Sequence, residues 1–398
     1  MNVLMLTPYL PYPPSSGGQI RSYNLIKQLS KKHKITLYSL IKHDEERRYI
    51  GELEKHCVKV KVFKRPAKPW TFQNILKTGT GPYPFLMIRN FSPEEKRDLS
   101  RVLRKEKFDI IHAETFYVSL HIPKNQIPIV LVDQTIEYEV YQHFVENFKW
   151  PLLKPLLMID VWKIKFWETY YWKRATGVIA LSERDAQSMK KLVSGLRVSV
   201  VPNGVGEDLM RDVPLHFCKT IIFVGNYAWL QNVEAVEILV KEIYPRVVKV
   251  VKDVKLLIVG QNTDKIPVIN SPGIEVVDLK IEDVAGVQKA YHEGGIMVAP
   301  LYGPSGARLK IVGAMAAKVP VVTTSIGILG IDATDREDVL LSDTYEGISK
   351  KAIKLLTDVG LYRKIALNAR KLVEKKYTYE VIAEKLDAVY KDATHGKS

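Results

Sequence analysis

Two basic residues, Arg308 and Lys310, lie where a glycine-containing turn is followed by an apolar, helix-like run. The turn itself contains Ser305 and Gly306. A helix N-terminus presents unpaired N–H groups and the positive end of the helix dipole, so it binds anions readily. Two cations at that point favour a phosphate or diphosphate site. The same pattern also fits a capped surface helix with two solvated basic residues, and the segment alone leaves both interpretations open.

The chain around this turn alternates short apolar runs with amphipathic segments, which is typical of parallel α/β layering. Thirteen runs predict strands: Val3–Leu6, Ile35–Leu40, Val58–Phe63, Ile110–His112, Ile129–Val132, Val178–Leu181, Val198–Val201, Ile221–Val224, Lys255–Val259, Ile274–Val277, Ile296–Ala299, Val321–Thr323 and Val339–Leu341. Helical stretches between them include Gln19–Ser30, Ser182–Leu192, Asn232–Val248 and Tyr345–Leu356. The pattern predicts two Rossmann-like halves, each an open parallel sheet with helices on both faces.

We expect two domains, because 398 residues exceed one typical core. Turn residues cluster after Pro202-Asn203-Gly204, which places the predicted domains at 1–205 and 206–376. Apolar residues at helical spacing in 377–398 have no strand after them, so this helix is expected to cross back to the first domain. Ligands bind outside the carboxyl ends of strands in such sheets. Both glycine turns, 15–18 and 303–306, are therefore expected to point into an interdomain cleft.

The charge balance calls for an anionic partner. The chain has 59 basic and 44 acidic residues, a formal net charge of +15. No zinc spacing, RNP-like strand or isolated basic cluster marks a nucleic-acid module, so we expect no nucleic-acid partner. Phosphorylated substrates or an anionic membrane surface remain, beside the alternative of scattered solvating lysines. The two distant cysteines, Cys57 and Cys218, fit no disulfide or metal spacing and favour a cytoplasmic location.

Six segments together resemble the retaining, family 4 type of GT-B glycosyltransferases (glycosyl transferases group 1). They are Thr7–Arg21, Phe108–Glu114, Val178–Glu183, Val201–Gly204, Phe223–Gly225 and Arg308–Val322, in this order. The resemblance covers nearly the whole chain. It implies transfer of a sugar from a nucleotide diphosphate sugar, the donor substrate, to an acceptor hydroxyl with retained anomeric configuration. No other cofactor is expected.

The resemblance also implies roles for individual residues. Gly17 and Gly18 would let the backbone approach the donor diphosphate. The Ser305-Gly306 turn would supply N–H donors, and Gly225 and position 313 would also belong to the donor-binding site. Arg308 and Lys310 would stabilise the charge that develops on the leaving group. Glu114 would lie beside the reacting anomeric carbon, although a carboxylate that caps a loop fits the same position. Because the sequence contains no Asp-x-Asp, we expect no metal at the diphosphate.

Three positions depart from the family pattern. The family usually pairs two glutamates across the phosphate loop and its helix, and here the positions hold Ser305 and Gly313. A carboxylate at 313 would accept the ribose hydroxyls, which Gly313 cannot do. Lys318 replaces a usual glycine. Gly313 therefore leaves two alternatives: ribose contacts come from other residues, or the chain is a weak or catalytically silent nucleotide-sugar-binding protein. A sugar-nucleotide epimerase of the same fold is a third hypothesis, but no acid/base set for it can be assembled.

The segment 150–174 is aromatic and basic. It holds four of the six tryptophans together with several lysines, a composition that suits a lipid headgroup boundary. Trp162, Phe166 and Trp167 also have the spacing of a helix face buried in a core. Membrane contact and core packing are therefore both open at this point. With membrane contact, the acceptor would be a glycan or lipid-linked sugar, and the protein would be peripheral on the inner membrane face.

Overall fold

The computed structural model describes residues 1–68, 70–211, 214–267, 271–280, 283–303 and 308–395. The chain divides into two compact units. The first comprises Met1–Pro202 and the chain from Ala383 onward, and the second comprises Asn203–Ile382. These boundaries lie three residues before the predicted first junction and six residues after the predicted second one.

The first unit contains a parallel sheet of seven strands in the order β3-β2-β1-β4-β5-β6-β7. Their bounds are β1 Asn2–Thr7, β2 Lys34–Ile41, β3 Lys59–Lys64, β4 Ile110–Glu114, β5 Ile129–Asp133, β6 Gly177–Ala180 and β7 Val198–Val200. Most central-strand residues are buried, because helices cover both faces of a parallel sheet. This explains why β1 contains the continuous apolar run Val3–Leu6.

The second unit contains a parallel sheet of six strands in the order β10-β9-β8-β11-β12-β13. Their bounds are β8 Thr220–Asn226, β9 Lys255–Gln261, β10 Ile274–Asp278, β11 Ile296–Ala299, β12 Val321–Thr323 and β13 Leu340–Leu341. Both sheets follow the doubly wound order, which reverses between β1 and β4 in the first and between β8 and β11 in the second. The predicted α/β class with two Rossmann-like halves is confirmed.

The helices follow the strands as the alternating pattern predicts. Those of the first unit are α1 Gly17–Leu29, α2 Ile50–Glu54, α3 Phe72–Thr80, α4 Phe85–Arg89, α5 Pro93–Lys105, α6 Glu137–Glu146, α7 Lys154–Arg174 and α8 Glu183–Leu192. Those of the second are α9 Leu230–Ile238, α10 Tyr244–Val248, α11 Val284–Glu293, α12 Leu309–Ala316, α13 Tyr345–Thr357 and α14 Val359–Lys376. A final helix, α15 (Tyr379–His395), begins in the second unit and continues in the first.

One predicted helix is interrupted. The run Asn232–Val248 forms α9, then a π-helical turn at Leu239–Ile243, and then α10. Pro245 lies in the first turn of α10, where its missing N–H is tolerated. A proline inside a continuous helix would lose a hydrogen bond and clash with the preceding turn, so the wider turn before it accommodates the ring.

The last helix is held on the first unit by two buried polar contacts. The Tyr390 hydroxyl lies 2.6 Å from His112 Nδ1, and Asp387 Oδ1 lies 2.9 Å from His33 Nε2. Both contacts join α15 to strand β4 or to the chain just before β2. This is the return of the C-terminal helix that the sequence predicted.

Candidate active site

The start of α12 carries the two predicted cations. Arg308 is the N-terminal cap of this helix, and its Nη2 donates to the carbonyl oxygens of Gly303 at 2.9 Å and Ile326 at 3.2 Å. Its guanidinium therefore fixes the backbone on both sides of the helix start. Ser305 and Gly306, the other residues predicted for the turn, lie outside the described residues.

Lys310 lies two residues further along the chain, in the first turn of α12, with its ammonium against Phe223 of β8. Nζ donates a hydrogen bond to Asn232 Oδ1 and lies 4.4 Å from the centroid of the Phe223 ring. Burial, together with the nearby charge of Arg308, lowers the pKa of Lys310 from 10.5 to about 7. The hydrogen bond to Asn232 uses one of the three N–H donors of the ammonium. The other two can donate to a negatively charged acceptor, which would in turn favour the protonated amine.

Gly225 makes room for this lysine. A Cβ at position 225 would lie 3.2 Å from Asn232 and 3.3 Å from Lys310 Nζ. The glycine stands at the carboxyl end of β8, next to the point where the strand order reverses. In this structure its lack of a side chain accommodates Asn232 and Lys310, and its predicted approach to a diphosphate stays a prediction.

Gly313 is buried in α12 and faces the interior of the second unit. A Cβ there would lie 3.3 Å from the Tyr291 ring and hydroxyl and 3.4 Å from Leu209. Tyr291 is itself buried, and its hydroxyl donates to the carbonyl of Lys310 at 3.1 Å. The space beside position 313 is therefore filled by a phenol, which a glutamate side chain would have to displace.

The glycine turn of the first unit leads into α1, which begins at Gly17. A Cβ at Gly18 would lie 2.3 Å from the Tyr9 hydroxyl and 3.0 Å from Gln134 Oε1. Gln134 Nε2 in turn donates to Tyr9 Oη at 2.8 Å. Gly18 is thus required by the close packing of Tyr9, whatever else approaches this turn.

Glu114, the last residue of β4, is fully buried and bonded through both oxygens. Oε1 lies 3.1 Å from His112 Nε2 and 3.8 Å from Arg21 Nε, and Oε2 accepts from Gln134 Nε2 at 2.9 Å. Burial alone would raise the pKa of Glu114, but His112, Arg21 and Gln134 together hold it below its ordinary value. The carboxylate is therefore ionised, and both of its oxygens have polar partners.

The predicted place of Glu114 beside a reacting carbon stays a prediction, and the structure adds which groups its carboxylate already contacts. One of them is Gln134, which is partly exposed and reaches Tyr9. The next residue, Thr115, has φ of 80°, an unusual backbone angle for a β-branched residue and one that tends to occur at functional sites. What the structure shows is that Glu114 holds Gln134 in place at this strand end.

Several site residues escaped sequence reasoning. Asn232 and Phe223 contact Lys310, and Tyr9 and Gln134 contact each other beside Glu114. The only signal for them is position, because each lies at or just after the carboxyl half of a strand, or in the first turn of the helix that follows.

The aromatic segment 150–174 is partly buried and partly exposed. Burial of a face made of Trp162, Phe166 and Trp167 is wrong for Trp162 and Phe166, and membrane contact stays a prediction. Trp172 is buried and Trp167 Nε1 donates to the Pro82 carbonyl at 2.9 Å, so one side of α7 is core. The other side leaves its apolar residues in solvent: Leu156 is 64% exposed, Trp162 65% and Phe166 60%, and Leu152, just before α7, is 93% exposed. In the part of the chain that the structure describes, no helix is both long and apolar enough to cross a membrane.

Comparison with known protein families identifies the chain. A model described as Glycosyl transferases group 1 matches residues 218–358, and one described as Glycosyltransferase Family 4 matches residues 15–209. The chain belongs to the family 4 (group 1) glycosyltransferases. The two matched ranges fall on either side of the boundary between the units, so each half of this glycosyltransferase is recognised separately.

Three curated relatives are similar over part of their length. A 44.6 kDa protein in the cps region of Klebsiella pneumoniae is 25% identical over 169 residues, 41% of this chain and 43% of that protein. The capsular polysaccharide biosynthesis glycosyltransferase CapM of Staphylococcus aureus is 26% identical over 148 residues, 35% of this chain and 38% of CapM. The phosphatidyl-myo-inositol mannosyltransferase of Mycobacterium leprae is 26% identical over 235 residues, 56% of this chain and 61% of the relative. The matches thus span less than two thirds of each relative.

Solved structures share the fold over the whole chain. Sucrose-phosphate synthase from Thermosynechococcus elongatus superposes with a TM-score of 0.69 at 16% identity, covering 100% of both chains. Anabaena HepE in complex with UDP gives a TM-score of 0.66 at 14% identity, covering 98% of this chain and all of that one. At these identities the likeness establishes the GT-B fold, as the sequence predicted.

Proposed function

We propose that this glycosyltransferase moves a sugar from a nucleoside diphosphate sugar to a hydroxyl of a glycan or lipid-linked acceptor in cell-surface polysaccharide or glycolipid assembly. The observation that carries the proposal is the placement of Lys310 and Arg308 at the start of α12, beside the carboxyl end of β8. CapM and the mannosyltransferase, relatives named for capsular polysaccharide biosynthesis and for phosphatidyl-myo-inositol, support the class of product.

The chemistry follows from charge. Cleavage of the glycosidic bond leaves negative charge on the diphosphate, and a preorganised cation stabilises that charge most where water is excluded. Lys310 meets this requirement because it is partly desolvated, and only one of its donors is bound to Asn232. Arg308 fixes the turn through Gly303 and Ile326 and places a second cation at the same helix end.

A donor panel tests this function. Thermal-shift screening of UDP-, GDP- and ADP-sugars should identify one donor that raises the melting temperature, and this donor should release free nucleoside diphosphate when acceptor is present. Lys310→Met should weaken nucleotide binding about ten- to hundredfold, since a hydrogen bond to a charged group contributes about 1.5–3 kcal/mol. Lys289→Met, a change of an exposed lysine of the same unit, serves as the matched control.

Retention and independence from metal belong to the same proposal. The product of the active donor should keep the anomeric configuration of that donor, which NMR of the freshly formed product measures. Activity should survive EDTA, because side-chain cations and the helix dipole are expected to neutralise the diphosphate. An inverted product or loss of activity with EDTA would contradict these two points separately. Nucleotide binding without release from any donor would instead favour the catalytically silent alternative motivated by Gly313.

We also propose that the exposed apolar side of α7 and the neighbouring α3 contact an anionic membrane. We call this surface the α3–α7 face, defined by Phe72, Ile75 and Leu76 of α3 and Leu156, Trp162 and Phe166 of α7. Lys163 of α7 joins the two helices by donating to the carbonyls of Thr78 at 2.6 Å and Gly81 at 2.7 Å.

The composition of the α3–α7 face fits lipid better than water. Phe72 is 80% exposed, and large apolar patches on a protein surface mark interaction sites. The exposed cations Lys77, Lys165 and Lys173 lie on the same two helices and would complement anionic headgroups. Such a surface would bring the enzyme to a lipid-linked acceptor.

Co-sedimentation with vesicles tests the membrane contact. The wild-type protein should sediment with vesicles that contain phosphatidylglycerol and much less with pure phosphatidylcholine. The double variant Trp162→Ser/Phe166→Ser should lose this binding, whereas Val250→Ser, at an exposed apolar residue of the second unit, should retain it. Equal sedimentation of the wild type and the double variant would contradict the assignment without affecting the proposed transfer reaction.

A further inference from the structure

Lys42 and Arg65 are the residues that directly follow two neighbouring strands of the first unit, β2 and β3. Ile41, the last residue of β2, pairs in register with Lys64, the last residue of β3. The backbone N–H of Arg65 continues this ladder by donating to the Ile41 carbonyl at 3.0 Å. Since adjacent strands lie about 4.8 Å apart, the two cations start from neighbouring backbone positions at the carboxyl edge of the sheet.

Arg89 brings a third positive charge to the same place. It is the last residue of α4, and the next residue, Asn90, accepts a hydrogen bond through Oδ1 from Arg65 Nη1 at 2.8 Å. The guanidinium of Arg65 is thus bonded to the neighbour of Arg89. Burial lowers the pKa of Lys42, and the charges of Arg65 and Arg89 lower it further. Burial and the charge of Arg89 likewise lower the pKa of Arg65.

These three residues, which we call the cationic trio, have no acidic side chain paired with them in the described part of the chain. Among the described residues none of the three forms an ion pair, and the buried Nε atoms of Arg65 and Arg89 have no hydrogen-bond acceptor. Glu46 is near, but its Oε1 already accepts from the backbone N–H groups of Lys42 and His43 at 2.7 and 2.9 Å. Buried, unmatched guanidinium donors cost free energy, which a bound anion would recover.

Glu137 is an acidic group that interacts electrostatically with Arg89. It follows β5, and burial raises its pKa to about 7 although Arg89 acts in the opposite direction. Its charge is therefore partly lost at neutral pH, and the edge stays positive. Tyr117, after β4, also faces Arg89 and stays neutral because burial raises its pKa.

We propose that the cationic trio binds a phosphate or diphosphate group carried by the acceptor, at a site separate from the donor diphosphate at Lys310. The inference rests on the proposed function and assigns the acceptor to the first unit, because Lys310 and Arg308 of the proposed donor site lie in the second. A neutral sugar offers nothing to offset three like charges. A phosphate offers several oxygens, and the planar donor forks of two arginines match them.

Calorimetry with inorganic pyrophosphate tests the trio. Because pyrophosphate could also bind at Lys310, all titrations use the Lys310→Met protein. Adding Arg89→Gln should weaken pyrophosphate binding at least tenfold, and Arg89→Lys, which keeps the charge, should restore most of it. Arg101→Gln removes an exposed arginine of the same unit and should have no effect. Equal affinities for the Arg89→Gln and Arg101→Gln proteins would overturn the proposal.

A second variant and a second readout separate this proposal from the proposed transfer function. Lys42→Gln, at an exposed residue, should weaken pyrophosphate binding at least threefold even if Arg89→Gln fails to fold; an unchanged affinity would overturn the proposal. With Lys310 intact, nucleoside diphosphate binding should be the same with and without Arg89→Gln. Failure of any nucleotide to bind the wild type would refute the proposed function, whereas normal nucleotide binding with unaltered pyrophosphate affinity in Arg89→Gln would refute only the trio.

Competition then identifies the source of the phosphate. Displacement of pyrophosphate by phosphatidylcholine vesicles containing a polyprenyl diphosphate, and not by glucose 1-phosphate, would place the group on a lipid-linked acceptor. The reverse result would place it on a soluble sugar phosphate. Displacement by glucuronate alone would contradict phosphate recognition and indicate a carboxylate.

Discussion

The affinity of this glycosyltransferase for a nucleoside diphosphate should fall as the pH rises above 7. The change of pH acts on Lys310, whose pKa is lowered to about 7 by burial and by the charge of Arg308. The shift from 10.5 to about 7 corresponds to about 5 kcal/mol against the charged form. An incoming diphosphate reverses much of this difference, because its charge favours the protonated amine.

The magnitude follows from the protonated fraction. One pH unit above its pKa, a group is only about one tenth protonated, so each unit above 7 should weaken binding about tenfold, or about 1.4 kcal/mol. The fall should level off once the neutral amine binds as well as it can. Since a charge-assisted hydrogen bond contributes about 1.5–3 kcal/mol, the total loss between pH 7 and 9 should be about ten- to hundredfold.

Calorimetry measures both the affinity and the proton. Titrations of the nucleoside diphosphate at pH 7, 8 and 9, each in two buffers of different ionisation enthalpy, should show uptake of about 0.4 to 0.8 proton at pH 8, since a ten- to hundredfold coupling raises the pKa in the complex to about 8 to 9. The phosphates of the ligand titrate near pH 6, so they contribute little in this range. Lys310→Arg supplies the control, because an arginine stays charged at every pH used. A slope above pH 7 that is identical in Lys310→Arg, or binding without proton uptake, would refute this reasoning.

Three further changes test the packing around the site. Gly18→Ala should lower the free energy of unfolding by about 1–3 kcal/mol in urea denaturation, because its Cβ would lie 2.3 Å from the Tyr9 hydroxyl, and Tyr9→Phe should recover part of the loss. Gly313→Glu should destabilise the protein by about 2 kcal/mol or more and should not tighten nucleotide binding, since its carboxylate would be buried against Tyr291. Lys318→Gly should raise the free energy of unfolding by up to about 1 kcal/mol and the melting temperature slightly, because φ at this residue is 60° and glycine accepts that angle without strain.

Controls for these changes come from the same chain. Gly51→Ala lies in α2 with nothing within 4 Å of the new Cβ, so it should be neutral or slightly stabilising. Gly313→Ala separates the steric effect from the buried charge. Tighter nucleotide binding in Gly313→Glu would show that the side chain reaches a ligand after all. A loss of stability in Gly51→Ala equal to that in Gly18→Ala would remove the Tyr9 contact as the explanation.

Much of the fold could be predicted because strands of parallel sheets are continuous apolar runs. Ile296–Ala299 and Val321–Thr323 have the predicted bounds, and the other strands differ by a few residues at their ends. The helix at Asn232–Val248 was predicted without a break, because apolar periodicity does not show how a chain accommodates Pro245. The cap at Arg308 followed from the strand, turn and helix around it, which are local in sequence.

The contacts of the site could be predicted much less well, because they join distant parts of the chain. Lys310 is bonded to Asn232, 78 residues away, and His112 to Tyr390, 278 residues away. The family resemblance implied that Glu114 lies beside a reacting carbon, and this stays a prediction. The structure shows that both of its oxygens have partners, His112 on β4, Arg21 on α1 and Gln134 after β5, and these contacts could not be predicted from the strand alone.

The two cationic groups, at Lys310 and at the trio of Lys42, Arg65 and Arg89, share a physical property that bears on substrate choice. Each unit holds positive charge at the carboxyl edge of its own sheet, where burial lowers the pKa of a lysine. A fully solvated lysine would gain little from an added anion, because water already stabilises it. A desolvated one gains more, so these sites discriminate in favour of charged ligands over neutral sugars of the same shape. If these proposals hold, part of the net charge of +15 serves ligand binding and not only solvation of the surface. If both groups act as proposed, added salt should weaken binding of the donor and of the acceptor less steeply than it weakens contact of the exposed lysines with a membrane, because buried charges are screened less.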